Sequence, residues 1–236
     1  MLFRSGPDAA VFLQGQFSND LRPLASHGID AVYGLWLSVK GKVLADSFVL
    51  RREGGLGAEA VFWVGSYFSP AAVVRERLES FVIADDVVVE DHTAEVTAVS
   101  ILGSTTLPSV TIPEPAETWV FRGRRERGGN LEVVHRESGG PPGWLAGWAG
   151  VTELSAAELR RRRIAAGIPA VPEDVGPADL PQEAGLEEAA VSFSKGCYLG
   201  QEVMARLHAM GQVRRQLVPV GAPGATVPST PAPLFA

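Results

Sequence analysis

Residues 31–52 read AVYGLWLSVKGKVLADSFVLRR. Two runs of apolar β-formers flank Lys40-Gly41-Lys42, and glycine at a tight turn joins them as an antiparallel hairpin. A chain committed to hairpin pairing does not build a doubly wound parallel sheet, whose strands need long helical crossovers between them. The same choice recurs downstream. EAVFWVGS (59–66) follows GGLG as a third strand, and strands are expected near 86–90 and 95–102. TWVFRG and LEVVHR make another hairpin around RRERGGN.

Helices punctuate these strands. In GPDAAVFLQGQFSNDL, Asp8 is placed to cap a helix with Ala9, Phe12, Leu13 and Gln16 on one face. Ser69-Pro70 opens a second helix as N-cap and first residue, with Val74, Leu78 and Phe81 at helical spacing. Ser155 and Glu158 form a capping box, Leu154 and Leu159 its staple, and Gly167 with Pro169 the stop. The reading is α+β, with mixed and antiparallel sheets packed by helices. A Pro-rich joint near 107–115 divides residues 1–106 from 107–216, and 217–236 form a Pro/Gly-rich tail.

With 46% apolar and 20% charged residues, the chain has globular composition. Its single cysteine excludes an internal disulfide and suits a reducing compartment. The start lacks a secretory pattern and no run is long enough to span a bilayer, so the expectation is a cytoplasmic protein without a membrane partner. Charge is uneven. Residues 192–216 hold Lys195, Arg206, Arg214 and Arg215 against Glu202, a net +3 that leaves −9 on the rest of a chain totalling −6. Such an island suits an anionic small ligand or a phosphate contact, and equally a solvated basic face.

No CxxC is present and His27, His92, His135 and His208 are scattered, so no metal site within the chain is expected. Phosphate-cradling glycine motifs are also missing. Attention falls on SFSKGCYLGQEVMARLHAMGQVRRQ (192–216), which holds Cys197. Val203, Met204 and Leu207 lie at helical spacing, placing the thiol just ahead of a helix. A helix dipole and the nearby Lys195 ammonium would both favour thiolate. Gly196 and Gly200 permit positive φ or close approach of a ligand. The alternatives are a buried, inert cysteine and a thiol paired with His208.

KGCYLGQE, followed by Arg206, closely resembles the signature of the YgfZ family, folate-binding proteins akin to the T-protein of the glycine cleavage system. FLQGQFSND resembles that family's amino-terminal motif and VKGKVLADSFVLRR its first hairpin. LRRRRIAAGIPAVPEDVGPADLPQEAGL resembles the helix and loop leading to the signature. The resemblance implies a T-protein-like fold of subdomains around a central cleft, with a carboxy-terminal β-barrel that PLFA would truncate. It implies tetrahydrofolate as cofactor, reduced folate and iron–sulfur client proteins as partners, and an indirect link to tRNA through its modification. The function it implies is a non-enzymatic folate-binding accessory to iron–sulfur cluster assembly or repair. Cys197 would then be the functional thiol and Lys195 its partner. Asp46, Gly196, Tyr198, Gly200, Gln201, Glu202 and Arg206 would surround the folate.

Two positions depart from the T-protein pattern. Ala45 precedes Asp46 where adjacent aspartates are usual, and Ala165 replaces a folate-contacting glutamate. Asp46 or Glu202 is then the acid left to read a pterin. Two other readings stand beside the first: a tetrahydrofolate-dependent aminomethyltransferase, and a tRNA-contacting or thiol-redox module. Arg160–Arg163 are expected on a solvated helix face, Trp36, Phe62 and Trp63 in the core, and Asn19-Asp20 at a turn.

Overall fold

The computed structural model describes residues 2–25, 30–52, 60–104, 118–136 and 151–221, the side chains of 2–5 excepted. The hairpin of residues 31–52 forms as expected: β2 (Val32–Leu37) pairs antiparallel with β3 (Val43–Arg52), Trp36 facing Ala45. With β1 (Leu2–Ser5), β4 (Val61–Gly65) and β5 (Val88–Asp91) they make a five-stranded antiparallel sheet in the order β2-β3-β4-β1-β5. A second sheet, β6-β8-β7, is built from β6 (Thr97–Ile101), β7 (Thr118–Gly123) and β8 (Asn130–His135).

Both faces of β2, β3 and β4 are buried, and the period-two alternation sorts their residues between two cores. Tyr33, Leu35 and Leu37 of β2, Phe48 and Leu50 of β3 and Trp63 of β4 face the second sheet, where Trp119, Phe121 and Val134 meet them. Trp36, Val49, Phe62 and Val64 point the other way, onto α1 (Ala9–Gln16) and α2 (Ala71–Glu79) through Phe12, Leu13, Val74 and Leu78. This two-sided burial explains why the strand sequences read as nearly continuous apolar runs.

The helix signals hold in type and differ in detail. Asp8 stands at the N-cap of α1 but makes no capping bond; its carboxylate accepts from the Asp86 amide at 2.9 Å. Pro70 is the N-cap of α2, because Ser69 turns its hydroxyl to Asp46 and to the Val171 carbonyl. Ser155 caps α3 (Ala156–Ala165), accepting from the Glu158 amide, while the Glu158 carboxylate goes to Arg161 and Arg162 instead of closing a box. A four-residue helix, α4 (Glu187–Ala190), precedes the signature, and α5 (Gln201–Met210) follows it. Strand β6, which precedes residue 106, pairs with β8 beyond it. Residues 105–117 and 222–236, with the expected Pro-rich joint and most of the tail, lie outside the described residues. No described helix is long and apolar enough to cross a membrane.

Candidate functional site

Three segments far apart in sequence meet here: the end of α1, the signature loop itself and the β2–β3 turn. Ser192 donates its amide to the Ser18 carbonyl and Leu199 its amide to the Gly15 carbonyl, tying both ends of the loop to the end of α1. Between them Lys195, 7% exposed, inserts its ammonium among the carbonyls of Gln14 (2.6 Å), Phe17 and Asn19 (3.0 Å). These are the free acceptors at the carboxy end of a helix, where a cation is favoured. Burial pushes the ammonium down to about 8. Its three donors are all taken, so Lys195 anchors the loop, and the expectation that it serves the thiol or an anionic ligand is corrected accordingly.

The β2–β3 turn is the third segment. Gly200, at φ +85°, lies so close to it that a Cβ would stand 2.7 Å from the Ser38 carbonyl oxygen. Met204, fully buried, and Val203 pack on Gly41 of the same turn. Gly196 also has positive φ, at +97°. The loop therefore bends outward on two left-handed glycines, and Cys197 at its crest is exposed. Tyr198 is buried behind it with its hydroxyl unpartnered, and burial pushes that phenol up to about 12. Gln201 turns its side chain back to accept from the Tyr198 amide at 2.9 Å. Glu202 and Arg206 are exposed on α5 and make no hydrogen bond or ion pair among the described residues. His208 bonds Glu187 through Nδ1 and stacks on Phe193 at 3.9 Å between ring centroids. Of the basic island, Lys195 is spent internally and Arg215 pairs with Asp179 and Glu183, leaving Arg206 and Arg214 toward solvent.

Asp46 belongs to a different place. It is 4% exposed, and its oxygens accept from the hydroxyls of Tyr33 (3.0 Å), Ser66 (2.7 Å) and Ser69 (2.8 Å). The cleft it lines is completed by Tyr67, Phe68, Arg124, Arg125, Arg163, Ile168 and Pro169, with no signature residue among them. Arg163 corrects the expected solvated face: Arg160 and Arg161 are exposed, but Arg163 is 4% exposed and turns inward to the Ile168 carbonyl and Asp174. Trp36, Phe62 and Trp63 are core residues, as expected, and none lines this cleft.

A cavity of about 250 Å³ adjoins it, sharing Tyr67 and Arg125 and lying against Phe48, Phe121, Val134 and Glu132. Glu132, 2% exposed, accepts from Tyr67 (2.7 Å), Asn130 (2.6 Å) and Ser100 (2.8 Å). Burial raises its carboxyl above the ordinary range despite these donors. Sequence reasoning missed Glu132; its one signal is an acid at an alternating position of an apolar strand, inside LEVVH.

A folate cofactor can be tested against the Asp46 cleft. The free space there is about 10 Å³, room for one water, against the roughly 300 Å³ of a cofactor pocket. Arg124 lies over the Tyr33 ring at 4.1 Å and covers that face. A pterin does not fit these residues as they stand.

No protein-family model matches the chain. It is 29% identical over 235 residues to the human "Iron-sulfur cluster assembly factor IBA57, mitochondrial", covering 91% of this chain and 62% of that protein. The mouse protein of the same name is 31% identical over 233 residues, with the same coverage. A homologue from Mycosarcoma maydis is 27% identical over 229 residues, covering 92% of this chain and 53% of its own length. The chain thus spans less than two thirds of these relatives. Among solved structures, the glycine cleavage system aminomethyltransferase T of Bartonella henselae superposes with a TM-score of 0.66 at 18% identity, over 89% of this chain and 61% of that one. The α+β fold is therefore that of an aminomethyltransferase T-like protein. The expected cytoplasmic location is overturned, since these relatives carry a mitochondrial designation. A lone cysteine reports a reducing environment and does not distinguish one such compartment from another.

Proposed function

We propose that this chain is an accessory factor in iron–sulfur cluster assembly, of the YgfZ-like kind, and that Cys197 is the thiol through which it acts. The observation that carries the reading is the pairing of an exposed sulfur with a rigidly held loop. Lys195, the Ser192 and Leu199 amides, Gly200 and Met204 all fix the backbone on either side, while the sulfur itself is left in solvent. A structural cysteine would be buried. Support also comes from the relatives, whose names describe cluster assembly factors.

The chain has one cysteine, and a cluster is held by about four ligands. Cys197 therefore works as one ligand among several, the others coming from a client or carrier protein. Thiolate is the ligating form, so Cys197 binds by giving up its proton. Tyr198 and Lys195 face inward and do not contact the sulfur's partner; their part is to hold the crest in shape. The cleft at Asp46 has no room for a pterin as it stands, and ligation by the Cys197 thiol requires none.

The test is anaerobic transfer of a [2Fe–2S] cluster from a thiol-ligated donor, followed by visible circular dichroism. The wild-type chain is expected to perturb the cluster spectrum when mixed with the donor, and Cys197→Ala to leave it unchanged. An identical perturbation by both proteins would remove the thiol from the function.

A further inference from the structure

We propose that the Asp46 cleft is a binding site for a small oxyanion. The cleft gathers three guanidinium groups from two separate elements, and much of their hydrogen-bonding capacity is unspent. Arg163 is 4% exposed, and although its Nη1 serves the Ile168 carbonyl and Asp174, its Nη2 has no hydrogen-bond partner. The nearest acid to that nitrogen, Glu173, stands at 3.7 Å. Arg124 has no carboxylate within ion-pair distance among the described residues and is held by Tyr33, through the ring face and the hydroxyl. Arg125 lies on the Tyr67 ring at 3.9 Å; its buried Nε is unpartnered, with Glu132 only at 3.7 Å.

A buried donor without an acceptor is costly, and two of them around one space, on Arg125 and Arg163, call for an acceptor-only ligand. The planar guanidinium fork matches carboxylate or phosphate oxygens. The one acid in the cleft does not compete for these donors, because the Asp46 oxygens already accept from Tyr33, Ser66 and Ser69. Size sets the other limit. With Arg124 on its ring the free space is about 10 Å³, room for a water, so a ligand enters only as Arg124 turns to meet it, and one oxyanion group demands the smallest displacement. Arg124 and Arg125 are half-buried and stacked, so both can turn from ring to ligand without giving up a close ion pair. The shared chemistry is that of one small oxyanion, a phosphate or a short monocarboxylate.

Isothermal titration of the full chain with inorganic phosphate and, separately, acetate distinguishes the two sources. At least one should bind with a stoichiometry of one, and Arg124→Gln should weaken it about tenfold, the loss of one charge-assisted contact. Arg124→Gln loses the contact with the Tyr33 ring but no ion pair, so titration at a temperature where its melt shows it folded reports the site and not the fold. The proposal is overturned if neither anion binds or if Arg124→Gln binds as well as wild type. It is equally overturned if tetrahydrofolate binds with a stoichiometry of one and Asp46→Ala weakens it, since a pterin would then occupy the cleft. These outcomes are independent of Cys197 and leave the cluster-transfer test untouched.

Discussion

Replacing Lys195 with methionine should cost the protein about 3 kcal/mol. The side chain keeps its length and loses its three donors, so the Gln14, Phe17 and Asn19 carbonyls at the end of α1 become orphaned in a buried setting. Hydrogen bonds to a charged group contribute about 1.5–3 kcal/mol each. Against this stands the desolvation that depresses the ammonium to about 8, worth roughly 3 kcal/mol, which methionine does not suffer. Urea unfolding followed by tryptophan fluorescence would read the difference as a lowered midpoint at unchanged slope. Cys197 sits two residues from the lost anchor, so the variant should also transfer clusters poorly under conditions where it is still folded. A stability loss below about 1 kcal/mol with normal transfer would refute the claim that the ammonium–carbonyl contacts hold the crest.

Two further outcomes follow from the same geometry. Gly200→Ala places a Cβ 2.7 Å from the Ser38 oxygen at φ +85°, and left-handed strain plus overpacking should cost about 2–4 kcal/mol in a thermal or urea melt; a melt unchanged from wild type would contradict the close approach of α5 to the β2–β3 turn. Glu132 has a raised folded pKa, so the stability it contributes is complete below the ordinary carboxyl range and is lost as pH rises through the folded value. Glu132→Gln does not titrate, so the stability of wild type relative to the variant should fall from about pH 4 toward neutrality; parallel curves would show that burial does not perturb this carboxyl.

Much of the fold is legible because its signals are local. The hairpin at Lys40-Gly41-Lys42, the cap at Ser155, the helix after Gly200 and the left-handed glycines at 196 and 200 each follow from a few adjacent residues. The features that escaped are long-range. Strand β1 has four residues, and its partners β4 and β5 lie far along the chain, so no local pattern announces it. Lys195 looks like a partner for the neighbouring thiol until the end of α1, about 180 positions away, captures it. Arg163 sits in a run of four arginines of which two are exposed, and only the packing of α3 against Ile168 and Asp174 singles it out. Asp46 and the signature loop are brought near the same hairpin, yet no signature residue lines the Asp46 cleft, a separation no local pattern announces.

The central claim is that an exposed Cys197, on a loop locked from behind, serves iron–sulfur proteins. Its most direct test is the activity of iron–sulfur enzymes in cells lacking the gene, restored with wild type or Cys197→Ala at matched protein levels. Wild type is predicted to restore those activities and Cys197→Ala to leave them low while remaining folded. Full restoration by Cys197→Ala would contradict the account.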